Sequence, residues 1–212
     1  MSEPAFAYRL LPGAGTGPVL VVLHGTGGAP EDLLPVVHQL CPDAPVLAPV
    51  GQVTEHGMRR WFRRLAEGVF DTEDVIARAG QLADFLRSAR ARHGLGGRPL
   101  VAVGFSNGAN IAAAVTLLRP DALTRAVLFN AMLPVPDPPR LDLTGTRVLL
   151  SNGRRDPMAP VDSAERLVAL LRERSADVRE HWHPGGHQLT LDGVAAAKRW
   201  LSDELTGVGG TS

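Results

Sequence analysis

Apolar runs of strand length alternate with amphipathic runs of helix length along nearly the whole chain. That alternation restricts the fold more than any other feature. The strand-length runs are Phe6–Leu11, Pro18–Leu23, Pro45–Pro49, Pro99–Val103, Arg125–Asn130, Arg147–Ser151 and Val178–His183. Several, such as Val19-Leu20-Val21-Val22-Leu23, are continuous rather than alternating, as expected of parallel strands covered on both faces. Between them, Thr72–Arg92 places Val75, Ile76, Ala79, Leu82, Ala83 and Leu86 at helical spacing, with Thr72 as the expected cap. Pro160–Arg174 and Leu189–Leu205 carry similar stripes. Strand–helix alternation of this kind predicts an α/β fold with a doubly wound, mostly parallel sheet of about seven strands flanked by helices. One domain over residues 1–206 is expected from the length of 212 residues, with the glycine-rich tail 207–212 fraying at its end. The segment from Gly51 to Asp71 has no clear periodicity and reads as a long irregular loop, a class that is often functional.

Composition excludes several partners. Formal net charge is zero, whereas a phosphate-binding protein usually carries a basic excess on one face, so no nucleic-acid partner is expected. The basic cluster Arg59, Arg60, Arg63 and Arg64 precedes Glu67 and Asp71 and reads as a solvated, salt-bridged surface. No apolar run is long enough to span a membrane, and no secretory signal is visible at the start. A single cysteine, Cys41, forbids an intrachain disulfide and points to a reducing, cytoplasmic setting. Monomer and homodimer both stay open.

The chemistry concentrates in Gly104-Phe105-Ser106-Asn107-Gly108. It lies between the apolar run Leu100–Val103 and the alanine-rich run 109–115, which reads as a helix. A serine on such a strand-to-helix turn, with glycines two residues away on each side, is how a nucleophile elbow is built. A glycine-rich turn with an incidental serine is the alternative, and partners for the hydroxyl decide between them. Of the seven histidines, His187 stands in Pro184-Gly185-Gly186-His187, a loop after the last strand run. His24, His38, His56, His93, His181 and His183 fall in strands, helix ends or other loops. Asp156 follows the run ending at Ser151, on the same predicted sheet edge, whereas Asp162 falls in a first helical turn, where an acid complements the dipole. The order Ser106, Asp156, His187 is the one that strand–turn–helix serine hydrolases use. Two oxyanion donors are needed as well. The amide of Asn107 opens a helix, and the glycine-rich loop His24-Gly25-Thr26-Gly27-Gly28 offers the amide of Thr26. That loop lacks the Lys-Ser/Thr of a phosphate-binding loop.

These features together resemble the α/β-hydrolase superfamily and, within it, the phospholipase/carboxylesterase family of bacterial carboxylesterases and acyl-protein thioesterases. The carriers are LHGTGG at 23–28, GFSNGAN at 104–110, NGRRDPMAP at 152–160 and GGHQLT at 185–190. The stretches 61–75 and 130–134 are similar to a bacterial subgroup, some of whose members are linked to aromatic, hydroquinone-type catabolism. The resemblance implies Ser106, Asp156 and His187 as the triad, Thr26 and Asn107 as oxyanion donors, and Trp61, Phe62 and Met132 around an acyl pocket. It implies no metal and no organic cofactor. The thioesterase branch usually has Leu and Gln where this chain has Thr26 and Asn107, and dienelactone hydrolases use a cysteine where Ser106 stands. No long insertion separates Asn130 from Arg147, so no large cap domain is expected. The expected activity is hydrolysis of small soluble carboxylic esters through an acyl-enzyme. Acyl thioesterase or lysophospholipase activity, acyl transfer to another nucleophile, and non-catalytic ligand binding are the alternatives.

Overall fold

The structure, a computed structural model, describes residues 6–66 and 68–206; Met1–Ala5, Glu67 and the tail 207–212 lie outside the described residues. Each of the seven apolar runs forms a strand. In chain order these are β1 (Tyr8–Leu11), β2 (Val19–Leu23) and β3 (Val46–Pro49), then, after two small hairpins, β8 (Leu100–Phe105), β9 (Arg125–Phe129), β10 (Arg147–Gly153) and β11 (Asp177–His183). They pair in the order β1-β3-β2-β8-β9-β10-β11, with β1 antiparallel to β3 and the other pairs parallel. The helices are α1 (Leu34–Leu40), preceded by a 3-10 turn at Pro30–Leu33, α2 (Thr72–Arg92), α3 (Asn107–Leu118), α4 (Val161–Glu173) and α5 (Leu191–Thr206).

Side chains that alternate along each strand feed two separate cores. Val19, Val21, Leu23, Leu100, Ala102, Ala126 and Leu128 pack with α2, α3 and α4 on one face. Leu20, Val22, Val101, Val103, Val127 and Phe129 pack with α1 and α5 on the other. Both faces of the central strands are thus covered, which is why they read as unbroken apolar runs. Asp71, not Thr72, caps α2: its backbone is extended and its carboxylate accepts from the Asp74 amide at 3.2 Å, while Thr72 has already joined the helix.

The segment 51–71 is not the irregular loop its sequence suggests. It folds into two hairpins, β4 (Val53–Glu55) with β5 (Met58–Arg60) and β6 (Arg64–Ala66) with β7 (Val69–Phe70). In the first, His56 and Gly57 both take positive φ, +50° and +78°, as a two-residue type I′ hairpin turn requires. The surface reading of the arginine cluster fails at Arg60, which is only 3 % exposed. Its partner Glu55 lies across the first hairpin, and the pair carries its charge into the interior. Arg63 does lie outside, paired with Asp71. No described helix is long and apolar enough to cross a membrane.

From β2 the chain moves to β3 on one side of the sheet, and after α2 it returns to β8 on the other. The strand order therefore reverses between β2 and β8, and the crevice beyond their C-terminal ends is where such sheets bind ligands.

Candidate active site

Ser106 stands at that crevice, between β8 and α3. Its backbone is held at φ +53°, ψ −118°, a strained region for a residue with a side chain. Crowding on both sides fixes the turn. A Cβ at Gly108 would sit 1.9 Å from the Leu23 carbonyl oxygen, and one at Gly104 would sit 2.6 Å from the Gly108 oxygen. The Ser106 amide donates to the Phe129 carbonyl at 2.9 Å, and the Ser106 carbonyl receives the Asn110 amide at 2.9 Å. The strain is thus held from the sheet on one side and the helix on the other.

The structure brings the three residues of the expected triad into one hydrogen-bonded chain. His187 Nε2 lies 2.8 Å from Ser106 Oγ, and His187 Nδ1 lies 2.7 Å from Asp156 Oδ2. A carboxylate can only accept, so Nδ1 carries the proton and Nε2 is left to accept from the serine hydroxyl. Asp156 is buried after β10 and its oxygens are fully used. Oδ1 accepts from the amides of Met158 and Ala159 at 2.8 and 3.0 Å, and Oδ2 accepts from Asn130 Nδ2 at 2.7 Å as well as from His187. Burial pushes its pKa up, but the hydrogen bonds from Asn130, His187, Ala159 and Met158 outweigh that and hold it below the ordinary carboxylate value.

Asn130 is a site residue that sequence reasoning missed. Placed at the end of β9 with φ +53°, it also reaches the Gly186 carbonyl in the His187 loop, at 3.3 Å. It thereby ties the loop of the histidine to the aspartate. A lone Asn after a strand gives no signal beyond its tolerance for positive φ.

Thr26 occupies the turn Gly25–Gly28, closed by a Gly28 amide to Gly25 carbonyl bond of 3.1 Å, with Gly27 at φ +73°. Thr26, Ser106, Asn107 and Asn110 line one hollow together with Arg60, Arg64, Phe70 and Met158. Asn107 is the first residue of α3, and a helix leaves its first amides without intrahelical partners. The hollow is narrow, about 30 Å³. Gly68 and Phe70 also wall a second groove of about 230 Å³ lined by Val69, Met132, Leu133, Pro134 and Pro136.

Trp61 and Phe62, expected around the acyl pocket, are both buried in the main core, and neither lines this hollow or this groove. Trp61 packs on His24 and Phe6, and Phe62 on Phe70. Both rings close off the interior beneath the crevice, and only Met132 of the three reaches the groove. The other histidines have work elsewhere. His24 accepts the Gly51 amide on Nε2 at 3.0 Å and donates from Nδ1 to the Gly25 carbonyl at 2.8 Å. His183 accepts the Gly185 amide at 3.2 Å and so braces the His187 loop. His181 meets Ser151 Oγ at 3.0 Å, and His93 meets the Tyr8 hydroxyl at 2.8 Å.

The family model described as Phospholipase/Carboxylesterase matches residues 12–205. The chain belongs to the phospholipase/carboxylesterase family. MhqD of Bacillus subtilis (strain 168), provisionally described as a hydrolase, is 39% identical over 187 residues, covering 88% of this chain and 94% of that protein. The crystal structure of the Bacillus cereus carboxylesterase superposes with a TM-score of 0.91 at 41% identity, covering 94% of each chain. A carboxylesterase from Mesorhizobium loti superposes with a TM-score of 0.89 at 30% identity, covering 95% of this chain and 97% of its own. This phospholipase/carboxylesterase family member therefore has the mostly parallel seven-strand sheet of carboxylesterases, with strand ends and loops meeting at Ser106.

Proposed function

We propose that the protein is a serine carboxylesterase that cleaves small soluble esters through an acyl-enzyme, with one α/β-hydrolase domain carrying the whole reaction. The observation that carries the proposal is the bonded chain Ser106–His187–Asp156 at the floor of the crevice. His187 takes the hydroxyl proton as Ser106 Oγ bonds to the ester carbonyl carbon, and Asp156 stabilises the imidazolium that forms. The carbonyl electron pair moves onto oxygen, where the amides of Thr26 and Asn107 receive it. When the tetrahedral adduct collapses, the bond to the alcohol oxygen breaks and His187 returns the proton to it. Water, deprotonated by the same histidine, then attacks the acyl-enzyme and regenerates Ser106.

The narrow space beside Ser106 and the adjoining groove of Val69, Phe70, Met132 and Leu133 suit a short acyl or aryl group. The connection 130–146 contains no helix or strand that would form a lid. Both observations favour soluble esters over lipid.

The test is p-nitrophenyl acetate turnover with Ser106→Ala, together with fluorophosphonate labelling of the unmodified protein. The expected loss in kcat is on the order of 10⁶-fold, as when a nucleophile of this kind is removed from a serine hydrolase. Labelling should modify Ser106 alone. Substantial turnover by the variant, or an unlabelled Ser106, would overturn the proposal.

A further inference from the structure

The residues expected to supply the oxyanion amides, Thr26 and Asn107, come from a loop after β2 and from the start of α3, 81 positions apart in sequence. Three consecutive residues that no reaction step uses touch both segments. The Arg59 carbonyl accepts the Gly27 amide at 2.8 Å, fixing the peptide immediately after Thr26. Arg60 Nη1 donates to Thr26 Oγ1 at 3.0 Å. The Trp61 amide donates to Asn107 Oδ1 at 2.7 Å, and the Trp61 indole donates to the His24 carbonyl at 2.8 Å, at the base of the Thr26 turn.

We propose that Arg59-Arg60-Trp61 is a positioning strap that sets the spacing of the two oxyanion amides, with Arg60 its decisive side chain. The inference rests on the serine-esterase reading above.

Three observations support it. First, Arg60 is held from behind. Its guanidinium Nε lies 3.2 Å from both Glu55 Oε2 and the Phe62 carbonyl, so the arm that reaches Thr26 cannot swing. Burying such a pair gains little stability over an apolar pair of the same shape. A role in placing Thr26 accounts for an arginine there.

Second, Asn107 Nδ2 is buried without a partner among the described residues, while its Oδ1 holds Trp61. Leaving an amide nitrogen so costs about 1–3 kcal/mol. The carboxamide is therefore retained for its oxygen, and among the described residues that oxygen bonds the strap. Third, the strap begins on the β4–β5 hairpin, whose type I′ turn sets the register that puts Arg60 opposite Val53 and turns its side chain inward. The hairpin is a sheet of its own, so it presents the strap from outside the seven-stranded sheet. Arg60 is a positioning residue in this scheme: it also borders the hollow, but it acts on the transition state through Thr26.

The test is a double-mutant cycle on p-nitrophenyl acetate turnover with Arg60→Met, Thr26→Val and the double variant. Thermal melting serves as the folding check. Each single change should lower kcat about tenfold with KM within about twofold, a smaller loss than the 10²–10³-fold of removing a donor outright. The double variant should lose no more than the worse single one, because both changes break the same bond. Affinity for benzeneboronic acid, whose tetrahedral adduct on Ser106 mimics the oxyanion, should fall in step with kcat. Arg60→Lys, which keeps a donor, should recover part of both.

An unchanged kcat in folded Arg60→Met overturns the inference, and so do losses that multiply in the double variant. If Arg60→Met fails to fold, Thr26→Val decides alone: it removes only the hydroxyl acceptor, and full activity with it overturns the strap. An unmodified protein that neither turns over ester nor labels at Ser106 defeats the esterase reading instead. Active, labelled protein with indifferent variants defeats only the strap.

Discussion

At the scale of single residues, the arrangement around Asp156 separates charge from orientation. Its Oδ2 is shared between His187, the proposed base, and Asn130, which holds it in place. Asp156→Asn keeps the shape but presents an amide nitrogen or a weaker acceptor to His187 Nδ1, which favours the wrong tautomer. A loss in kcat of about 10⁴-fold is expected, as found when the acid of such a triad is made an amide. Asn130 tests orientation with the charge untouched. Because its φ is +53°, alanine would add backbone strain to the loss of the amide, whereas Asn130→Gly removes the amide and keeps the backbone relaxed. Asn130→Gly should lower kcat by about tenfold to a hundredfold, by analogy with losing the partner behind a metal ligand. KM should change little. Steady-state kinetics of the two variants checks both expectations, and an Asn130→Gly enzyme with full kcat would mean that the two amides on Oδ1 orient Asp156 unaided.

At the scale of elements, the elbow and the first hairpin show what a sequence discloses and what it hides. The elbow was legible because its requirements are local. Gly104 and Gly108 answer contacts made by the neighbouring strand and helix, and the flanking runs are apolar enough to name their own structure. Gly108→Ala drives a methyl into the Leu23 carbonyl, a backbone atom that cannot rotate away. The protein should lose more than about 3 kcal/mol of stability in urea unfolding, beyond the usual range for a single change. A variant that kept both stability and turnover would show that β2 can retreat from the elbow.

The seven strands were legible for the same reason as the elbow. The hairpins of 51–71 were not, because three-residue strands such as Val53–Glu55 and Met58–Arg60 bury one side chain each and leave no periodic trace. His56-Gly57 was the available signal, a pair suited to positive φ between two short polar runs. With the hairpin unread, Arg60 looked like one more surface arginine. The Ser106–Asp156–His187 set could be chosen in sequence because strand ends converge on one edge. Asn130 and Arg60 could not, because their partners are fixed only when β9, β10 and the hairpin meet in space.

At the scale of the whole molecule, buried titratable groups tie folding to pH, and the sign follows from which state binds the proton. Burial holds His24 below its ordinary value of 6.5 despite its hydrogen bond to Gly25. Geometry agrees: protonation would turn Nε2 into a donor facing the Gly51 amide, which is itself a donor. His181 is lowered by burial and by neighbouring His183. As pH falls below 6.5, the unfolded chain takes up protons at both histidines that the folded protein refuses. Stability therefore declines from there downward, by up to about 1.4 kcal/mol per pH unit for buried His24 and by less for the more exposed His181. The Asp156 carboxyl, lowered from 3.8, acts in a later window. Its contribution is complete above 3.8 and is lost as acid protonates the folded state. Urea unfolding between pH 8 and pH 4 should show a plateau above about 7 and a steady fall below 6.5. His24→Gln places a carboxamide oxygen near the Nε2 position, where it can still accept from Gly51, but cannot titrate, so the fall between pH 6.5 and 5 should become shallower in that variant. An unaltered slope would assign the proton uptake to His181 and would mean that His24 takes up its proton in the folded protein as readily as in the unfolded chain.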